Sequence, residues 1–217
     1  MLNREAIIQG SCEVITCEKC NLLDSPKLLR DKSENIPQPG FIGMHYEKSH
    51  VLLIGRNPGV CPISMKSRDS VYMQALLTLE AHRNVPAYFR FHITLLKFMY
   101  DWPIYRDSFQ LDEYGLDLED IAFCNVVRCR TDKNGTPSKS LTQNCIKEHL
   151  VSFIDIIEPK VIVCIGKWVF DQLNPILSVR NITTTYINGD RSLTSAERAQ
   201  NRKTVVEIVR GKIRTDG

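Results

Sequence analysis

The chain has 217 residues, 43% hydrophobic and 24% charged, with a formal net charge of +3, too mild to argue by itself for nucleic acid. No apolar run approaches the about 20 residues that span a bilayer, and Met1 to Gly10 lacks the basic and apolar segments of a secretory signal. A single intracellular, cytoplasmic domain over 1–217 is therefore expected. In chain order, the first fifty residues read as irregular, because Pro26, Pro37, Pro39 and Gly40 break any long element. Val51 to Ile54, stopped by Gly55, reads as a buried strand, and Val71 to Leu79 and Ala87 to Tyr100 read as helices. Ile121 to Val127 is a second strand. Ser140 and Gln143 form a capping box for a helix that Pro159 ends. Val161 to Ile165 is a third strand, closed by Gly166, and Lys167 to Leu173 is a helix. Ile182 to Ile187 is a fourth strand, and a second capping box, Thr194 with Glu197, opens a helix ending near Val209. Strands alternating with helices, written as apolar runs, predict a parallel sheet covered on both faces, with its ligands beyond the carboxyl ends of the strands.

Eight cysteines without a secretory signal suit a reducing compartment, where metal ligation is commoner than disulfides. Cys17 and Cys20 form a C-x-x-C knuckle, and Cys129 and Cys145 stand sixteen residues apart far along the chain. Four thiolates satisfy either a tetrahedral zinc or a cubane iron–sulfur cluster, and either would staple the segment 1–50 onto the domain. The other reading of such cysteines is as small buried hydrophobes, and Cys124 and Cys164, inside apolar runs, are read that way. Arg128, Arg130, Lys133, Lys139 and Lys147 crowd one stretch, and Arg191, Arg198, Arg202, Lys203, Arg210, Lys212 and Arg214 crowd the C-terminus. Such runs are either solvated faces or phosphate contacts.

Gly55-Arg56-Asn57-Pro58-Gly59 follows the first strand, and Asn125-Val126-Val127-Arg128-Cys129-Arg130 ends the second and runs on to Thr136-Pro137. Gly166-Lys167 closes the third. With the knuckle before them and Cys145 after, these motifs resemble the uracil-DNA glycosylase superfamily, most closely its iron–sulfur branch, the family 4 enzymes. The resemblance runs from about Cys17 to the C-terminal helix. It implies a three-layer αβα fold on a central, mostly parallel four-stranded sheet, and a structural 4Fe-4S cluster on Cys17, Cys20, Cys129 and Cys145, zinc being the alternative. It also implies a monomer acting on DNA with a flipped uracil or other deaminated base. Two departures stand out. Where the branch has G-E-A-P-G, this chain has Arg56-Asn57, like the mismatch-specific and single-strand-selective branches, in which the asparagine orients the hydrolytic water. Where the family has H-P-S, this chain has Tyr186-Ile187-Asn188-Gly189-Asp190-Arg191-Ser192. The family's uracil-stacking aromatic has Tyr72 as its nearest counterpart.

Excising a base requires that the base leave the stack, that its edge be read, and that water reach the sugar. The Asn125 amide can accept from N3–H and donate to O4 of uracil, a pattern that cytosine reverses. Asn57 has no useful pKa but can hold a water, and the backbone N–H groups between Gly55 and Gly59 can bond the departing base. Asn188 offers a neutral hydrogen bond where the family offers histidine. Arg130, Lys133, Lys139 and Arg191 are the expected phosphate contacts, with Arg191 alternatively filling the gap left by the base. The competing reading is a weak or inactive member that binds nucleic acid on the same metal-stapled scaffold. The missing H-P-S favours that alternative; the Asn57 loop and Asn125 oppose it.

Overall fold

The computed structural model describes residues 2–20, 28–29, 37–43, 45–58, 116, 118–187 and 194–215. The helices expected at 71–79 and 87–100, and the candidates Gly59, Tyr72, Asn188 and Arg191, lie outside the described residues. In chain order the elements are α1 (Arg4–Ile15), β1 (Leu28–Leu29), β2 (Phe41–Ile42), α2 (Tyr46–Ser49), β3 (Val51–Gly55), β4 (Ile121–Asn125) and β5 (Arg130–Thr131). They continue with α3 (Lys139–Cys145), a π-helical turn (Ile146–Leu150), α4 (Val151–Ile157), β6 (Val161–Ile165), α5 (Lys167–Leu177), β7 (Thr183–Ile187) and α6 (Ser195–Thr215). Short 3-10 turns at Leu118–Asp120 and Asp132–Asn134 lie between.

The main sheet has the order β2-β4-β3-β6-β7. It is α/β and mostly parallel, as expected, but has five strands among the described residues where four were expected. The added strand is β2, two residues between Gly40 and Gly43, too short to carry a period. Gly43 N donates to Ile121 O (2.9 Å) and His45 N to Glu119 O (2.8 Å), an antiparallel register against β4.

The chain divides into two compact units. One comprises Ile42–Arg56, Pro103–Phe123 and Glu158–Gly217. Its heart is the parallel triplet of β3, β6 and β7, with Val51 opposite Val161 and Val161 opposite Thr183. Leu52, Ile54, Val161, Ile162 and Cys164 are fully buried, which the uninterrupted apolar runs required. The edge strand β7 is only half-buried, and its threonines suit that position. Helices α5 and α6 pack on β6 and β7. Gly166, at φ 94, makes the turn from β6 into α5, a conformation that a side chain would strain. Helix α5 runs through Pro175 to Leu177, beyond its expected end. Helix α6 opens on the expected box, with Thr194 N donating to Glu197 Oε2 (2.9 Å) and Glu197 N to Thr194 Oγ1 (3.3 Å), and passes Val209 to reach Thr215.

The other unit comprises Met1–Phe41, Asn57–Trp102 and Cys124–Ile157. Its N-terminal segment corrects the irregular reading: α1 is capped by Asn3, whose side chain accepts from Ala6 N. The proline and glycine breakers all lie beyond it, and Ile7, Ile8, Ser11, Val14 and Ile15 make a buried stripe at helical spacing. That helix packs on α4. Strand β1 pairs antiparallel with β5, Leu28 opposite Thr131 and Leu29 opposite Arg130. The cap of α3 is Ser138 rather than Ser140: Ser138 keeps the extended backbone a cap needs, and its hydroxyl accepts from Leu141 N, while Ser140 is already helical.

A four-cysteine cavity and an asparagine loop

The end of α1 places the knuckle. Thr16 N donates to Cys12 O and Cys17 N to Val14 O (both 3.1 Å), so the chain turns tightly through Cys17 to Cys20. Cys129 enters β5, and Cys145 is the last residue of α3. All four cysteines line one cavity of about 350 Å³, counting space open to solvent, together with Val127, Arg128, Asn144 and His149. Cys20, Cys129 and Cys145 are buried. Two N–H groups point at sulfur: Arg128 N to Cys145 Sγ at 3.4 Å, and the Asn144 side-chain amide to Cys20 Sγ at 2.9 Å. Both favour thiolate over thiol. Without a cation, burial pushes the Cys145 thiol up to about 11, with Arg128 opposing. A bound metal reverses that order, because a coordinating thiol is deprotonated outright. Among the described residues no three Cys, His, Asp or Glu side chains close on a single-ion site, although the four cysteines line one cavity.

The basic stretch divides in a way the sequence did not indicate. Arg128 is 2% exposed and Arg130 7%, whereas Lys133, Lys139 and Lys147 are exposed. Arg128 accepts Gln38 N on its own carbonyl (2.8 Å), donates Nη1 to Pro39 O (2.9 Å), and lays its guanidinium over the Phe153 ring at 5.1 Å. Among the described residues, its Nε and Nη2 are buried with no partner in hydrogen-bonding geometry. It therefore holds the Gln38–Pro39 segment beside the cysteine cavity rather than facing solvent. His149 is buried beside it, and desolvation, then the Arg128 charge, lower its pKa to about 4, so the ring is neutral. Lys19, within the knuckle, bonds Glu148 on the helix side, which raises the lysine's pKa and lowers the glutamate's. Lys19 is exposed and Glu148 half-buried, and the pair fixes position more than it stabilises.

Of the other candidates, Gly55 is the last residue of β3 and buried, and Asn125 ends β4 at 5% exposure. Asn57 follows β3 by two residues and is half-buried. Its Nδ2 donates to Thr131 Oγ1 (3.0 Å) and Pro58 O (3.3 Å), and Thr131 Oγ1 donates to Gly135 O (2.8 Å). Thr131 was missed from the sequence, lying 74 positions from Asn57 with no motif to join them. Arg128, Asn144 and His149 were missed as cavity residues; only their spacing around Cys129 and Cys145 could have suggested them.

Residues 44–209 match the family model of the uracil DNA glycosylase superfamily. A type-4 uracil-DNA glycosylase of Archaeoglobus fulgidus is 23% identical over 177 residues, covering 82% of this chain and 68% of that one. A type-4 uracil-DNA glycosylase of Sulfurisphaera tokodaii is 26% identical over 165 residues, covering 74% and 56%. One of Thermotoga maritima is 43% identical over 80 residues, covering 37% and 40%, so the chain spans less than two thirds of these last two relatives.

Proposed function

Because the chain belongs to the uracil DNA glycosylase superfamily, we propose that it hydrolyses the N-glycosidic bond of uracil or another deaminated base in DNA, as a base-excision repair enzyme. The observation that carries this reading is Asn125, buried at the carboxyl end of β4 and continuous with the segment that runs into the cysteine cavity. A flipped uracil meeting that amide gains an acceptor for N3–H and a donor for O4, while cytosine meets two mismatched groups, and an unpaired buried polar group costs about 1–3 kcal/mol. Asn57, on the adjoining loop, holds the water. An amide suffices for this if the bond to the base breaks largely before attack, leaving an oxocarbenium-like sugar. Backbone N–H groups from Gly55 to Gly59 hydrogen-bond the departing base, and Asn188 adds a neutral donor where relatives in the superfamily use histidine. Tyr72 is the aromatic face for the base.

Cys17, Cys20, Cys129 and Cys145 are the ligands we assign to a 4Fe-4S cluster. The donor set fits: four sulfurs around one cavity, with two N–H groups directed at them and an arginine alongside. Four thiolates satisfy a cubane cluster, with a tetrahedral zinc as the alternative. The cluster supplies rigidity, holding the loop that carries Arg130 and the exposed Lys133 and Lys139 in place for the phosphate backbone, while Arg191 contacts a phosphate or fills the gap left by the base. Phosphate contacts of this kind make binding fall with salt.

The test is a panel of single and double strands bearing uracil, hypoxanthine, xanthine or a mismatch, scored for abasic sites. Uracil excision that Asn125→Asp makes indiscriminate supports the reading, since a carboxylate accepts but cannot donate to O4. Binding without excision of any base supports the alternative of an inactive member. Iron and sulfide analysis, with absorbance near 400 nm expected for the cluster, separates iron from zinc.

A further inference from the structure

We infer that Thr131 is a positioning residue that fixes which way the Asn57 amide faces. The inference rests on the reading of Asn57 as the residue that holds the attacking water. Thr131 is 1% exposed, and its backbone is fixed in β5 opposite Leu28. Its hydroxyl has one hydrogen to give. Gly135 O, 2.8 Å away, can only accept, so the hydrogen lies there. The oxygen is then an acceptor toward its other neighbour, 3.0 Å away on Asn57, and only Nδ2 of that amide can donate. Pro58 O, at 3.3 Å, is a second carbonyl that accepts from the same nitrogen.

The two amide hydrogens are thus directed at Thr131 and Pro58, and Oδ1 is the other, accepting edge of the same planar amide. This orientation decides the chemistry. An amide oxygen accepts a hydrogen from water and leaves the water's lone pairs for the sugar. The flipped amide would bond one of those lone pairs and hold the water in the wrong sense. The same hydroxyl holds Gly135 by its carbonyl, and Gly135 N closes the turn at Asp132–Asn134 on Asp132 O (3.0 Å). The loop that carries Lys133, at φ 52, and the residue that carries the water are therefore tied to one oxygen.

The experiment uses the full chain with its native metal content and compares Thr131→Val, Thr131→Ser and Asn57→Ala by steady-state excision from a uracil oligonucleotide. Thr131→Val keeps the shape and loses the hydroxyl. It is expected to lower kcat about threefold to tenfold with KM unchanged, the scale of one neutral hydrogen bond. Thr131→Ser is expected to recover wild-type kcat. Thr131→Val at wild-type kcat while Asn57→Ala is inactive would overturn the inference, and so would Thr131→Ser as slow as Thr131→Val. Wild-type excision by Asn57→Ala fails the reading of Asn57 itself. If Thr131→Val does not fold, or if no base is excised, the Asn57 side-chain amide in nitrogen-15 spectra of the wild type decides. Two dispersed, slowly exchanging protons support the orientation; an averaged pair exchanging like a free amide overturns it.

Discussion

Arg128→Met asks whether a buried guanidinium serves the fold or the cysteines beside it. Methionine fills much of the same space without charge or donors. The substitution removes the bond from Nη1 to Pro39 O, about 1.5–3 kcal/mol for a charged donor, and the stacking over Phe153, about 2 kcal/mol when desolvated. It also removes two buried N–H groups, Nε and Nη2, that have no hydrogen-bond partner among the described residues, each costing about 1–3 kcal/mol. Loss and relief nearly cancel, so the metal-free variant is expected to melt within about 5 °C of metal-free wild type, at about 2–4 °C per kcal/mol for this chain length. With the proposed 4Fe-4S cluster bound, the balance would differ. Four ligating thiolates would bring negative charge into the cavity that Arg128 lines, and removing the buried cation would leave that charge uncompensated, a cost of about 3–5 kcal/mol. Iron release to a chelator should therefore be faster in the variant by two orders of magnitude or more, roughly, if that cost falls on the bound state alone. Iron release and thermal melting of both forms provide the assay. Unchanged iron release, or a metal-free variant destabilised as much as the loaded one, would make Arg128 an ordinary fold residue.

Gly43→Ala sets a Cβ within 2.2 Å of Glu119 O, and because that neighbour is backbone, β2 must move. Losing the bonds from Gly43 to Ile121 and His45 to Glu119 should cost about 1–3 kcal/mol in urea unfolding, and an unchanged midpoint would mean that the close approach is not real. Ser138→Ala removes the cap of α3 and is expected to cost about 1 kcal/mol, while Ser140→Ala, outside the cap, should stay within about 0.5 kcal/mol. The reverse order in denaturant melts would restore the capping box read from the sequence.

Strands β3 and β6 were legible because burial on both faces writes an unbroken apolar run, and Thr194 with Glu197 was legible because a capping box is a local pattern. What escaped was either too short or too far apart in sequence. Strands β1, β2 and β5 have two residues each, and no period fits in two positions. The breakers at Pro26 to Gly40 were taken to spoil the whole N-terminal segment, although α1 ends before the first of them. A run of arginines and lysines looks the same whether its members face water or a carbonyl. Arg128 meets Pro39 from 89 residues away, a distance that only the fold closes. In the candidate site, C-x-x-C and the sixteen-residue interval pointed to the four cysteines that share the cavity, but nothing local ties Thr131 to Asn57.

The helix that carries Cys145 does not keep a constant step. Between α3 and α4 it widens into the π turn at Ile146–Leu150, which closes over one residue more than an α turn. Everything after that point is rotated by about 100° from where a uniform α-helix would set it. Asn144 and Cys145, before the turn, face the cavity, while Phe153 and Ile156, after it, lie under Arg128 and near Gly10. Deleting one residue within 146–150 would let the helix close into regular α geometry. Its circular dichroism would barely change, yet its two halves would fall out of phase, and either the sulfur or the aromatic ring would point the wrong way. The extra residue acts as a phase shift, and in any relative lacking it the same two contacts must come from a differently spaced pair of positions.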